Sequence, residues 1–376
     1  ILDQSKSGAA MINEGKGGNV FEEELSRRSA RVYEYLSRDI YRKRFHPQHI
    51  QQAVYSYINL GGKSLRPSVL LFSCGAVGGE EEKALPAAAA VEVYHTWTLI
   101  HDDIIDRDER RRGGPTVHRA FSQRAQRELG YGKKEADHYG ISIGILVGDQ
   151  LQGWATSLLS ELHTTSGIDP AVVLFLINAM DMDVQSTLIE GEVLDVQYSR
   201  LPVESINEDL ILDMLWKKTG ALYEFAGKAG AMIGLNNCSS DHPYVQALAQ
   251  FASKCGIAFQ LQDDILGIVG DEKKLGKPVG SDIREGKRTT ILYFSLKQAS
   301  ESQRKSLLKT VGNESAREEE IARAIDLLRE LGGIEHTRDL ARAYVREAVD
   351  FLGALPPSSY KEMLFQFAEY MIQREF

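Results

Sequence analysis

Residues 81–114 read EEKALPAAAAVEVYHTWTLIHDDIIDRDERRRGG. Through most of this stretch the residues are apolar on nearly every side of a helical wheel. A helix of that kind belongs in the middle of a bundle, not on its surface. The reading places one such helix at about 81–108 and a second at about 244–269. Each ends in carboxylates: Asp102, Asp103 and Asp106 in the first, and Asp263 and Asp264, within FQLQDDILGIVGD, in the second. On a helix, residues four apart share a face and the adjacent residue is turned by about 100°. Asp102 and Asp106 therefore project together, with Asp103 beside them. Carboxylates repel one another and are costly to desolvate, so an apolar helix should not collect them without a cation to neutralise them. Hard oxygen ligands suit magnesium, and magnesium usually bridges to a phosphate. The first cluster fits two such ions. The second has Gly267 four residues after Asp263 and reads as a site for one, with Asp271 a candidate through water. A solvated acidic helix end is the ordinary alternative, but residues 95–105 are too apolar for a solvated face.

Working outward, nearly every segment from residue 21 onward carries apolar residues at three- and four-residue spacing, as in Val32, Tyr35, Leu36 and Ile40. Breaks fall at Gly61 and Gly62, Gly78 and Gly79, Gly113 to Pro115, and around residues 167–170, 235–243, 276–286 and 355–359. The expectation is an all-α chain of ten or more helices in a single domain, residues 21–376, behind a flexible Gly/Ser/Ala-rich leader at 1–20. The polar stretch 121–138 reads as a surface excursion between two core helices. The net charge, 44 − 53 = −9, argues against a general nucleic-acid binder. Cys74, Cys238 and Cys255 have no metal-type spacing and read as thiols of a reducing compartment, the cytoplasm. No apolar run approaches the 18 or so residues that span a bilayer, so no stable membrane insertion is expected.

Cations supply the counterpart to the carboxylates. GGKSLRP places Lys63 and Arg66 at a helix start, where exposed amides and two positive charges make an anion site. Arg110, Arg111 and Arg112 follow the first aspartates by one turn, and a guanidinium fork binds phosphate oxygens two at a time. Lys217 and Lys218 in WKKTG, Lys277 in GKPVGSD, and Lys287 and Arg288 in EGKRT complete the set. Taken singly, each of these is an ordinary surface residue.

These motifs, GGKSLRP, DDIID with RRGG, KKTG, FQLQDDILG, LGKPVGSD and EGKRT, stand in one order, and in that order the chain resembles the trans-prenyltransferases of the isoprenyl diphosphate synthase (polyprenyl synthetase) family over about 22–375. The resemblance implies an orthogonal helical bundle around a central cavity, two to three Mg2+ ions, and a homodimer. It implies condensation of isopentenyl diphosphate with an allylic diphosphate. By motif, Asp102, Asp103, Asp106 and Asp263, with Asp264 supporting, would hold magnesium on the allylic diphosphate. Arg111, Lys218 and Lys277 would contact that diphosphate, with Lys287 closing over it. Gly62, Lys63, Arg66, His95 and Arg112 would bind isopentenyl diphosphate, and Thr219 and Gln260 would steady the cation through their oxygens. Two departures stand out: Gly267 in place of a third aspartate, and Glu192 in GEVLD where many relatives carry Gln.

Trp97 lies five residues before Asp102, about 7.5 Å along a helix axis. It is the candidate floor of a tail-binding tunnel, with the small Thr98 beside it and Tyr94 as a third chain-length candidate. The pattern is similar to short-chain synthases of the archaeal geranylgeranyl type and implies a twenty-carbon product, with fifteen or twenty-five carbons as alternatives. Asp149 and Asp195 are expected to face the cavity and support the lysines, while Asp282 either links Lys277 to the site or caps a loop. A class I terpene cyclase would need no isopentenyl diphosphate site, and GGKSLRP speaks against it. A non-catalytic partner subunit would have lost an aspartate motif.

Overall fold

The structure, a computed structural model, describes residues 17–270 and 280–373. The chain runs α1 (Gly17–Leu36), α2 (Asp39–Arg42), α3 (Gln48–Leu60), α4 (Leu65–Ala76), α5 (Glu81–Ile105), α6 (Val117–Leu129), α7 (Lys133–Thr164), α8 (Pro170–Asn178), α9 (Gln185–Arg200), α10 (Glu208–Leu215), α11 (Ala221–Leu235) and α12 (Pro243–Val269). It continues through α13 (Ser281–Glu285), α14 (Thr290–Gln298), α15 (Glu301–Thr310), α16 (Glu318–Glu330), α17 (Gly333–Phe351) and α18 (Ser359–Gln373). The all-α expectation of ten or more helices holds.

The two apolar helices are α5 and α12, and each stands in the centre. α5 packs on α4 and α7, and α12 on α11 and α17. Ala87, Ala88, Ala89 and Ala90 are fully buried in α5, so neighbouring backbones approach it closely. Core residues from α3, α4, α5, α7, α11, α12 and α18 form one large apolar cluster. In the last turn of α5 only Asp103 stays buried, while Asp102 is half-buried and Asp106 beyond it is exposed.

Three local expectations change. A two-stranded ladder, β1 (Arg110–Arg111) with β2 (Gly114–Pro115), interrupts the helices, with Arg110 opposite Pro115. Its loop residues, Arg112 and Gly113, both have positive φ, the type I′ hairpin geometry that matches strand twist. The polar surface excursion at 121–138 is largely helical. Its residues form most of α6, a short turn and the start of α7, because Val117, Phe121 and Ala125 recur every four residues and are buried in an otherwise polar helix. Finally, Pro170–Arg200 is one continuous helical stretch, long and apolar enough by length and composition to cross a bilayer. Its apolar residues are interspersed with Asp181, Asp183, Glu190, Glu192 and Asp195, which hid its length from a search for an unbroken run.

Candidate active site

A cavity of about 1100 Å³ opens between the carboxylate ends of α5 and α12. Its wall brings together Gly62, Lys63, Arg66, His95, Trp97, Thr98, Asp102, Asp106, Arg111, Arg112, Lys218, Thr219, Gln260, Asp263, Asp264 and Lys287. Residues more than 200 positions apart in sequence therefore share one space. Lys277 and Asp271 lie outside the described residues. Asp103 and Tyr94 are not on this wall.

The first cluster divides by direction. Asp102 and Asp106 face the cavity. Asp103, one residue round the helix, is buried, where Arg111 Nε donates to its Oδ1 at 2.5 Å and the Tyr57 hydroxyl donates to its other oxygen. The hairpin carries Arg111 back over the end of α5, so its guanidinium also reaches Asp102 at 3.2 Å. Asp103 thus anchors the arginine instead of lining the cavity.

Opposite, the KKTG motif occupies a π-turn, Trp216–Gly220, between α10 and α11. Such widened turns recur at functional sites because they re-aim side chains. Here α9 comes close only because residue 191 is glycine: a Cβ there would lie 2.4 Å from the Lys218 backbone nitrogen. Lys218 reaches Asp102 at 3.1 Å, Glu192 at 2.9 Å and Asp195 at 2.7 Å. Burial works against its charge, but Asp102, Asp195, Glu192 and Asp106 hold its pKa well above the ordinary lysine value.

On α12, the Thr219 hydroxyl donates to Gln260 Oε1 at 3.0 Å, and Gln260 Nε2 donates to Asp264 Oδ1 at 3.2 Å. Lys287 Nζ meets the same oxygen at 3.1 Å. A chain of polar contacts thus runs from the π-turn to the second acidic pair. Burial opposes the charge on Lys287, yet Asp264, Asp282 and Asp195 keep its pKa well above normal.

A third group faces the mouth formed by α3, α4 and the hairpin. Arg66 lies over the Tyr223 ring at 4.5 Å and contacts His95 Nε2 at 3.2 Å. Burial, then the charges of Arg66, Arg112 and Arg111, hold His95 well below its ordinary pKa, so the ring is neutral. Arg112 donates to the Tyr57 and Gly61 carbonyls. Lys63 stands over the Tyr370 ring of α18 at 5.5 Å.

Trp97 lines the cavity and is 93% enclosed, at 7% exposure. Thr98 also lines it. Tyr94 stands behind Trp97, edge to face at 4.8 Å, and donates to the Met180 carbonyl at 3.2 Å. It supports the indole and touches no cavity space. Asp195 faces Lys218 as expected, whereas Asp149 is exposed and off the wall. Asp282 opens α13 and stands 4.0 Å from Lys287, the lysine it approaches among the described residues. The sequence reading assigned no role to Glu192, Tyr57, Phe259, Leu188 or Ile189. Glu192 had a signal, since GEVLD puts it three residues before Asp195 on one helix face. The others contribute only through tertiary placement.

The donor set is oxygen throughout, and Asp264 is buried with Oδ2 lacking a hydrogen-bond partner. Both features fit a hard divalent cation. Among the described residues, no three acidic side chains already meet as a finished cage. Asp102 and Asp103 of the first cluster are turned to Arg111 and Lys218 instead.

Crowding leaves its mark on protonation. Desolvation and then repulsion from Asp102 push Asp106 up to about 7. Burial raises Asp103 and Asp264 to about 6. A carboxyl raised in the folded state binds more protons there than in the unfolded chain, so its stabilising effect is fully present below the unfolded value near 3.8 and is lost as pH rises through 6–7. The melting temperature without metal is therefore expected to fall between pH 5 and pH 7.5. Mg2+ with pyrophosphate is expected to raise it more at pH 7.5 than at pH 5, as scanning fluorimetry at the two pH values would check.

A family model for polyprenyl synthetase matches residues 47–328. The chain belongs to this family. It is 36% identical over 361 residues to the geranylgeranyl diphosphate synthase of Sulfolobus acidocaldarius, covering 95% of this chain and 98% of that protein. Its structure is similar to the geranylgeranyl pyrophosphate synthetase of Pyrococcus horikoshii, with a TM-score of 0.79 at 31% identity, covering 96% and 100% of the two chains. It is also similar to a geranylgeranyl pyrophosphate synthase of Corynebacterium glutamicum solved with isoprenyl diphosphate and magnesium, with a TM-score of 0.76 at 28% identity, covering 97% and 100%.

Proposed function

We propose that this protein is a short-chain trans-prenyltransferase that adds isopentenyl diphosphate to an allylic diphosphate, with geranylgeranyl diphosphate as its main product. The observation that carries the reading is the facing of Asp102 and Asp106 on α5 with Asp263 and Asp264 on α12, and Lys218 and Lys287 between them, above an apolar pocket.

In this reading Asp102, Asp106 and Asp263 hold Mg2+, with Asp264 in support and Asp103 fixing Arg111. The bound metal supplies positive charge to the leaving pyrophosphate. Arg111, Lys218 and Lys287, with Lys277, hold the same diphosphate and are in place before its charge develops, which is where electrostatic preorganisation acts. The allylic C–O bond breaks and leaves a carbocation. The Thr219 and Gln260 oxygens face the space where that cation forms. Gly62, Lys63, Arg66, neutral His95 and Arg112 hold isopentenyl diphosphate, whose double bond forms the new C–C bond. The proton then lost passes to pyrophosphate. The apolar wall, which includes Trp97, Leu99, Leu222 and Phe259, keeps water from the cation.

A twenty-carbon product is proposed because the bulky Trp97 lines the pocket with Tyr94 behind it and because the named relatives are geranylgeranyl synthases. Trp97→Ala is expected to lengthen the product by at least one five-carbon unit. Chromatography of the dephosphorylated alcohols reads the result, and an unchanged length distribution removes Trp97 as the floor.

We also propose a single catalytic domain at 21–376 acting as a homodimer in the cytoplasm. Exposed apolar residues on α7 (Ile145, Leu146) and on the 170–200 stretch (Leu174, Met182) support a self-contact. The free state of all three cysteines supports the compartment. The reading as a whole is tested by incubating the protein with isopentenyl diphosphate, Mg2+ and each allylic diphosphate in turn. Turnover of an allylic diphosphate without isopentenyl diphosphate would instead favour a cyclase.

A further inference from the structure

The loop at 61–64, between α3 and α4, is bent in a way its own residues do not favour. Gly61 has φ +69°, and Ser64, which carries a Cβ, sits in the left-handed region at φ 46° and ψ 46°. A residue other than glycine stays there only where its surroundings fix it. Ser64 makes no side-chain capping bond to α4, so the hold comes from elsewhere. It comes from α1, which precedes the stretch matched by the family model. Ser29 Oγ donates to the Gly62 carbonyl at 2.8 Å and lies 3.1 Å from Ser64 Oγ. Tyr33, four residues on and on the same helix face, donates from its hydroxyl to Glu92 Oε1 of α5 at 2.7 Å. A Cβ on Gly62 would lie 3.0 Å from the Tyr33 hydroxyl and 3.0 Å from Arg112 Nη2, so the loop backbone passes between the two. Arg112 donates in turn to the Gly61 carbonyl.

α1 is itself pinned to α5 at two levels. The buried Arg28 meets Glu81 Oε1 at 2.6 Å, and Arg31 meets Glu81 Oε2 at 3.0 Å, at the first residue of α5. Glu92 lies eleven residues further along that helix (92 − 81), is 3% exposed and stands on the cavity wall. Among the described residues, the Tyr33 hydroxyl is the one hydrogen-bond donor to its carboxylate. Burial, then the Glu92 charge, holds the Tyr33 phenol well above its ordinary pKa, so the hydroxyl keeps its proton and remains a donor. Gly62, Lys63, Ser64 and Arg112 line the cavity, whereas Ser29 and Tyr33 do not.

We infer that Ser29 and Tyr33 are positioning residues of the isopentenyl diphosphate site. Through them α1 sets the 61–64 loop, and with it the Gly62 backbone, Lys63 and the side chain of Arg112, in the geometry that meets the diphosphate. The inference rests on the reading that these residues bind isopentenyl diphosphate. The allylic diphosphate is held from other elements, the π-turn, Arg111 and α12, so the effect of α1 falls on one substrate.

The test is steady-state kinetics of wild type, Y33F, S29A and Y33F/S29A. Isopentenyl diphosphate is varied at a saturating allylic diphosphate, then the reverse, with melting temperatures measured beside them. Y33F leaves the buried Glu92 carboxylate without its donor, and S29A leaves the Gly62 carbonyl without the Ser29 hydroxyl. Each single variant is expected to raise KM for isopentenyl diphosphate about tenfold, with kcat and KM for the allylic diphosphate within about twofold of wild type. The double variant is expected to exceed either single one. A helix that merely stabilises the fold would instead lower the melting temperature and move both KM values together. Unchanged KM for isopentenyl diphosphate in Y33F and S29A overturns the inference, and so does an equal rise for both substrates. If Y33F does not fold, S29A decides by the same criterion, since it removes a single hydroxyl. A wild-type protein that condenses isopentenyl diphosphate with no allylic diphosphate sinks the underlying reading, a result distinct from the others.

Discussion

Asp102→Ala is expected to lower kcat/KM by about 10³-fold or more, about 4 kcal/mol of transition-state stabilisation, while the protein stays folded. Asp102 is the carboxylate on which both halves of the first wall converge: Lys218 at 3.1 Å on one oxygen and Arg111 at 3.2 Å on the other. In the proposed reading its loss removes a metal-facing ligand and takes one carboxylate partner from each of two diphosphate-facing cations. The fold has little to lose. Lys218 keeps Glu192 and Asp195, Arg111 keeps Asp103, and Asp106 is relieved of its nearest like charge. The melting temperature without metal should therefore be unchanged or higher. Steady-state assay and calorimetry together decide the matter. A loss below tenfold, or a loss matched by unfolding, contradicts the assigned role.

Lys218→Ala should do the reverse to stability. Here one ammonium serves Asp102, Glu192 and Asp195 in a partly enclosed site, with less than a quarter of its side chain exposed at 24%. Removing one partner of such a set leaves carboxylates uncompensated, which costs about 3 kcal/mol for enclosed pairs. The sign with pH follows. Without the lysine Glu192, already raised by burial, loses the charge that lowers it and titrates higher still, so toward pH 5 it takes up a proton and the penalty shrinks, while at pH 7.5 it is felt in full. Activity should fall by about 10²-fold, as expected when one preplaced donor to a developing negative charge is lost. Denaturant unfolding at the two pH values checks the first effect. An equal penalty at both would mean that Lys218 acts by packing alone.

Much of this was legible in residues 81–114. Apolarity on every side put α5 in the centre, and the four-residue spacing put Asp102 and Asp106 on one wall. The direction of Asp103 was not legible. A step of 100° could carry it into the cavity or into the core, and the choice was made by Tyr57 on α3 and by a hairpin that returns Arg111. The hairpin escaped because a two-residue ladder leaves no period to detect. Its trace was the pair Arg112 and Gly113 at the loop. Trp97 read as the floor and Tyr94 as a further chain-length candidate, and packing puts the tyrosine behind the tryptophan. Asp149 and Asp195 looked alike as supports, yet only α9 carries its aspartate to Lys218, across a contact that Gly191 permits.

The central claim is that two acidic helices hold divalent metal against the diphosphate of a prenyl donor. A crystal structure with Mg2+ and a non-reactive allylic diphosphate analogue tests it most directly. The account predicts metal density between the analogue and Asp102 and Asp106 on one side and Asp263 on the other, with the prenyl tail running toward Trp97. Analogue bound elsewhere, or bound with no metal at either helix, would contradict it.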